Sequence, residues 1–318
     1  MSTSPGDGGA PLRKVVIAGG SGALGRRLAA DLAGRGLDVV VLSRTPDRGA
    51  AAREVAWDGR SVGPWATELT DPAGTALVNL AGKLVDVRPT AANIAALRDS
   101  RVAATRALVE ASRRLDAPLA RWVQASTTAI YADAGEQRVT ESSPVPDPGL
   151  PQMTGVAVPW EAAVEGANTD RLTVLRTSLV LDRDVPVMDR MLLVTRFGLG
   201  GPIGTGRQWM SWIHVEDWLA VVRAALGLDP AVDVQGTVIA SAPEPVRNAD
   251  MMRSLRRRLG RPWAPRTPLP LLRLGSVVLR TDPALAATGR HATSEVLDAA
   301  GFRFAFPTLD AALDDVLG

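Results

Sequence analysis

The 318-residue chain has no cysteine, which removes disulfides, thiolate nucleophiles and cysteine-bound zinc or iron–sulfur centres. His214 and His291 are the only histidines. Two are too few for a histidine-rich site, so no metal is expected. Lysine is nearly missing as well: apart from Lys14 and Lys83, all 34 remaining basic residues are arginine, and Tyr131 is the one tyrosine. These scarcities make the isoelectric point near 9.6 misleading. Arginine stays charged far above neutrality, and almost nothing titrates in the mildly alkaline range to cancel a formal charge of +2. The chain is therefore close to neutral and implies neither a nucleic-acid partner nor an anionic membrane. Arg253, Arg256, Arg257, Arg258 and Arg261 gather on one stretch without interleaved aromatics, which is not a nucleic-acid pattern.

Long apolar runs are absent too. The stretch from Leu269 to Leu279 is interrupted by Arg273 and Gly275 and is too short to cross a bilayer. The opening MSTSPGDGGAP has neither the basic nor the apolar part of a signal peptide. Residues 1–12 read as a disordered leader, and the protein as soluble and cytoplasmic. Its expected partner is a small-molecule substrate, with a homodimer left open.

What is present is an ample apolar fraction, 46%, arranged as alternating strand and helix signals. Lys14–Ala18 is a short β-branched run of the kind that is buried on both faces. Val39–Leu42, Ala76–Leu80, Arg121–Ala125 and Leu172–Leu181 are further strands. The intervening segments, notably Thr90–Leu115, are long enough for crossover helices. Such alternation predicts an α/β fold, a Rossmann-like doubly wound parallel sheet. From Val185 the alternation becomes irregular. A glycine-rich loop spans Phe197–Gly206, a helix is expected from Asn248 to Leu259, and Thr293–Gly318 reads as helix, short strand at Phe302–Phe304, and helix. The expected organisation is a nucleotide-binding domain over 13–185 to which 211–240 returns. A smaller C-terminal substrate lobe, from 186–210 and 241–318, lies over the carboxyl ends of the strands.

Gly19, Gly20, Ser21, Gly22, Ala23, Leu24 and Gly25 lie between the first strand and a helix. Glycines at 19, 22 and 25 let backbone amides approach a pyrophosphate, and the helix N-terminus adds favourable partial charge. Dinucleotide binders that take NAD place an acidic residue at the end of the second strand, where it accepts from the ribose 2′-hydroxyl. Here that place holds Ser43 and Arg44, with Arg48 nearby. Arginine pairs with a 2′-phosphate through charge-assisted hydrogen bonds, so the cofactor expected is NADP(H).

Together with Asn79-Leu80-Ala81-Gly82, Asp99-Ser-Arg-Val102 with Thr105, Gly198–Gln208, Trp212-Ile-His-Val215 with Asp217, Pro245–Asn248, Ala300–Phe302 and Pro307–Leu309, this loop resembles the extended or atypical short-chain dehydrogenase/reductases. The resemblance is to their epimerase-like branch, and it runs over residues 13–317. It implies that Asn79, Leu80, Ala81 and Gly82 line the cofactor's ribose. It places Ser126 with Thr127 and Thr128 beside the nicotinamide, and Thr127 where extended members keep a catalytic Ser or Thr. Arg207 on the glycine-rich loop would face the substrate, with Thr128 and Gln152 as further substrate-binding candidates, and Trp209 is positioned to stack on a ligand ring or simply to pack.

One feature of that superfamily is missing, the tyrosine with a lysine four residues on. Gly135 follows Tyr131 at that distance, and at the superfamily spacing the pair falls near Gln152 and Val156. Tyr131, His214, Asp133 or a bound water are the remaining proton sources. Tyr131 also reads as a packed wall of the site, and His214 as a hydrogen-bonded histidine at a strand–helix junction. Three functions are thus open: an NADP(H)-dependent oxidoreductase or epimerase-like enzyme on a small polar or nucleotide-linked substrate, a redox-neutral cyclase, dehydratase or isomerase, or a non-catalytic NADP(H) sensor.

Overall fold

A computed structural model describes residues 11–47, 50, 52–261, 263–279 and 282–318. Residues 1–10 of the expected leader and Arg48 lie outside the described residues. In chain order the elements are β1 (Lys14–Ala18), α1 (Ala23–Gly34), β2 (Asp38–Ser43), β3 (Arg53–Ala56), β4 (Thr75–Asn79), α2 (Ala91–Arg113) and β5 (Arg121–Thr127). Next come α3 (Thr154–Ala162), β6 (Leu172–Thr177), β7 (Leu179–Leu181), α4 (Pro186–Arg196), β8 (Trp209–Met210), β9 (Trp212–His214), α5 (Val215–Ala225) and β10 (Gly236–Ala240). The chain closes with β11 (Val246–Arg247), α6 (Asn248–Arg258), α7 (Leu269–Leu279), α8 (Ala284–Ala287), α9 (Glu295–Ala299) and α10 (Leu309–Leu317).

Seven strands form one parallel sheet in the order β3-β2-β1-β4-β5-β6-β10. The chain first moves outward from β1 through β2 to β3, then restarts on the other side at β4. That reversal leaves a crevice between β1 and β4 at the carboxyl ends, where such sheets bind ligands. The expected α/β, Rossmann-like doubly wound sheet is the fold. Strand alternation divides its core in two. Val15 and Ile17 join α1 and α5 residues such as Leu28, Leu32 and Val221 on one face. Val16 and Ala18 join Leu108 of α2 and the buried Trp57, Trp65 and Trp122 on the other. Among the described residues no helix is long and apolar enough to cross a membrane.

Two local readings are corrected. The apolar run Leu172–Leu181 is two strands, because the chain leaves the sheet after Thr177 and β7 pairs with β9 instead. Phe302–Phe304 is not a strand. Its two rings meet edge to face at 4.8 Å and pack on the first core cluster, so their alternation serves burial without a ladder. The backbone amides just beyond, Ala305 and Phe306, donate to the buried Asp217 carboxylate at 2.7 and 3.0 Å.

Candidate functional site

Strand register brings the motifs to one edge. Ala18, the last residue of β1, is opposite Leu42 on β2 and Asn79 on β4, so Gly19 and Leu80 leave the sheet together beside Ser43, the last residue of β2. Gly19 turns with φ of +79°, and a Cβ there would stand 2.8 Å from the Ala81 backbone, a conformation and a fit only glycine tolerates. Gly25 lies so close to the preceding turn that a Cβ would reach 2.5 Å from the Gly20 Cα. Gly22 differs. It is the N-cap of α1 yet offers no side-chain hydrogen bond, and a Cβ on it would meet only the Gly19 carbonyl at 3.5 Å. Helix α1 also has no acidic residue in its first turn. Its leading amides are therefore open to an anion.

At the end of β2, Ser43 is buried and its Oγ accepts from the Thr45 amide at 3.3 Å. Arg44 is exposed, and among the described residues it makes no ion pair or hydrogen bond. Asn79 is tied inward: its Nδ2 donates to Thr105 Oγ1 at 2.9 Å and Gln124 Oε1 at 3.0 Å, while its Oδ1 accepts from the Ala81 amide. The Asn79–Gly82 turn is thus pinned to α2 and β5, with Leu80 and Gly82 left at the edge.

A cavity of about 250 Å³ opens where β5 and β6 end. Ser126, Thr127 and Ala129 form its floor, Thr177 one side, and Gln152, Met153, Val156 and Trp160 a wall from the loop before α3 and the helix itself. Leu97 and Arg101 of α2 and Asp282 and Leu285 from the C-terminal part complete it. Thr127 Oγ1 accepts from the Ala129 amide at 3.1 Å, which leaves the hydroxyl hydrogen available to a ligand. Ser126 donates its hydroxyl hydrogen to Glu161 Oε1. Glu161 is held in turn by Arg176, whose Nε and Nη2 reach its two oxygens at 2.9 and 2.8 Å. The remaining Arg176 Nη1 donates to the Tyr131 phenol oxygen at 2.5 Å. Burial works against the Arg176 charge, but Glu161 outweighs it and holds the guanidinium above its ordinary pKa. Tyr131 is three hydrogen bonds removed from the cavity-lining Ser126 and fully buried, and its burial lifts the phenol above the usual range despite Arg176. It lines a separate hollow with Asp133 and Arg290.

Other expected residues are placed elsewhere. His214 ends β9 and caps α5, its Nδ1 accepting from the Glu216 amide at 3.2 Å, with its ring 3.8 Å from Phe306. Its Nε2 is 3.2 Å from Asp315 but without hydrogen-bond geometry. Burial pushes the imidazole below its ordinary pKa against the nearby carboxylates. Thr128 is buried in the turn after β5, where its carbonyl accepts from the Tyr131 amide, and it is not on the cavity wall. Arg207 is exposed and also off the wall. Trp209 is sandwiched between Arg247, 4.0 Å above its ring, and His291, stacked at 3.9 Å, so both its faces are already covered. Among the described residues no cluster of His, Asp or Glu could hold a metal ion.

Sequence reasoning missed Glu161, Arg176 and Trp160, and gave Arg101 no role of its own. Arg176 had a visible signal, since it is the one charge inside the strand run Leu172–Leu181. Glu161 had none, because its partners lie 15 and 35 residues away.

Comparison with known proteins now adds to this geometry. The sequence model of the NAD dependent epimerase/dehydratase family matches residues 15–153, and a domain of unknown function (DUF1731) matches 267–316. Epimerase family protein SDR39U1 of Bos taurus is 32% identical over 310 residues, spanning 96% of this chain and 99% of that protein. The chain belongs to the epimerase family. Another member, epimerase family protein MT2273 of Mycobacterium tuberculosis, is 33% identical over 308 residues, 94% of this chain and 96% of its own. The crystal structure of human epimerase family protein SDR39U1 (isoform 2) with NADPH superposes with a TM-score of 0.82 at 29% identity, over 96% of this chain and 99% of that one. The epimerase-like branch resembled by the motifs, with its own C-terminal domain, is thus the family itself.

Proposed function

We propose that this epimerase family member is an NADP(H)-binding oxidoreductase or epimerase-like enzyme acting on a small substrate beside Ser126 and Thr127. The observation that carries the reading is Arg44, exposed and unpaired among the described residues, next to the uncapped start of α1. A diphosphate fits the turn at Gly22, where space remains, and a 2′-phosphate fits the Arg44 guanidinium. The human relative crystallised with NADPH supports the same choice. Ser43 and the Asn79–Gly82 turn would hold the adenosine side and the ribose, and Ser126 the nicotinamide end.

NADP(H), when bound, supplies hydride transfer at the nicotinamide. The chain's own part is to place and protonate the substrate. Thr127 donates to the substrate oxygen through its free hydroxyl hydrogen. Ser126 can accept a proton from that oxygen as its own passes to Glu161, whose two oxygens Arg176 holds in place. This relay stands in for the missing Tyr–Lys pair, since neither Tyr131 nor a lysine lines the cavity. The same relay favours a second reading, a redox-neutral isomerase, cyclase or dehydratase, because proton movement at Ser126 and Glu161 needs no change of oxidation state. Of the substrate classes expected, a small molecule suits a cavity of about 250 Å³.

Titration with NADPH and, separately, NADH, following nicotinamide fluorescence, tests the proposal. NADPH binding at least tenfold tighter supports it, and substrate-dependent change at 340 nm then separates redox from redox-neutral turnover. Failure of both cofactors to bind would sink it.

A further inference from the structure

Arg101 is the odd charge of the cavity. It projects from α2 into the wall and is 8% exposed. Its guanidinium donates to two backbone carbonyls, Leu97 at 3.0 Å and Lys83 at 2.9 Å. Among the described residues no carboxylate stands within ion-pair reach of it. Desolvation without a compensating anion pushes its pKa down to about 10. The contrast with Arg176, equally buried but clamped to Glu161, is plain. Among the described residues the one cavity-wall carboxylate, Asp282, directs an oxygen to the Ala284 amide at 2.9 Å.

A second donor waits beside it. The Trp160 indole N–H is buried without any hydrogen-bond partner, and the Arg101 guanidinium lies 5.0 Å over the Trp160 ring. A buried cation without a counter-charge and a buried N–H without an acceptor are each costly unless a ligand supplies what they lack. The chain even makes room for the arrangement. A Cβ on Gly82 would press to 3.0 Å from the Arg101 guanidinium carbon, so the glycine that ends the Asn79–Gly82 turn lets the arginine pass. Val85, Val87, Leu97, Met153, Val156 and Leu285 give the cavity an apolar stretch of wall, opposed to the polar Ser126, Thr127, Gln152, Thr177 and Asp282.

We infer that the substrate is a small carboxylic acid with an apolar body, its carboxylate held by Arg101 and Trp160 and its hydrocarbon part by the apolar wall. This rests on the proposed function for the identity of the site and adds the class of molecule that enters it. Charge-assisted hydrogen bonds to guanidinium favour a carboxylate over a neutral amide of equal shape, so acid and amide pairs isolate the claim.

The test is calorimetric titration of the NADPH-loaded protein with hexanoate against hexanamide and benzoate against benzamide, repeated without NADPH. Each acid is expected to bind at least tenfold more tightly than its amide. Arg101→Leu should erase that preference, and Arg101→Lys should keep part of it. Equal affinities for acid and amide, no binding of either pair, or an acid preference that survives Arg101→Leu would each overturn the inference. The wild-type comparison needs no variant, so a folding defect in Arg101→Leu does not blunt it. A protein that prefers the acids but binds no NADPH would uphold Arg101 and refute the cofactor proposal alone.

Discussion

Arg176 and Glu161 face each other across β6 and α3 as a two-point ion pair, with one carboxylate oxygen also receiving the Ser126 hydroxyl. Such pairs gain little overall because both charges give up water, yet removing one partner strands the other. Glu161→Gln and Arg176→Met should each destabilise the protein by about 3–5 kcal/mol. The double substitution should cost clearly less than the two together. Urea unfolding of the four proteins measures this, and additive losses would contradict the pairing.

Arg44 has no described partner to lose, so its removal should leave the fold untouched. Arg44→Ala is expected to weaken NADPH about tenfold, or roughly 1.4 kcal/mol, and NADH less than twofold. Equal weakening of the two cofactors would show that Arg44 does not meet a 2′-phosphate.

The glycine turn separates packing from binding. Gly25→Ala drives a methyl toward the Gly20 backbone and should cost about 1–3 kcal/mol in stability. Gly22→Ala has space within the protein, so its unfolding free energy should change by no more than about 0.5 kcal/mol. Its NADPH affinity should nevertheless fall by tenfold or more, since the methyl takes the place proposed for a diphosphate. Thermal melts with and without NADPH distinguish the two effects.

His214 links stability to pH. Its pKa in the folded protein is lowered by burial, so the folded state favours neutral imidazole. That contribution is present above the unfolded value near 6.5 and is lost as pH falls through it toward the folded value. The melting temperature should therefore drop between pH 7.5 and 5.5. His214→Asn, which keeps a capping oxygen for α5, should show a smaller drop over the same interval.

Legibility in the sequence followed the range of the interactions. β1, the glycine turn and the start of α1 are contiguous, so strand burial, turn chemistry and helix onset could be read together. Thr127 and Gln152 were named as separate candidates, and the structure puts both around one cavity. The Ser126–Glu161–Arg176 chain joins three elements, and no local spacing announces it. Trp209 was open to stacking on a ligand or to packing because it follows the glycine-rich loop. Its real neighbours, Arg247 and His291, come from 38 and 82 residues further on. The break after Thr177 was hidden because an apolar run continues through Leu181 whichever strand it pairs with.

That break has a consequence for how such proteins can change. Leu181 and Val185 carry the chain out of the main sheet, Trp212 and Ala242 bring it back through, and Leu309, Leu313 and Val316 seal the same small core at the end. No continuous stretch of the gene encodes this lobe. A genetic exchange at a single point between Leu181 and Val316 would transfer part of this core and leave the rest with strangers. An exchange that keeps this core intact has to carry β10 of the main sheet with it.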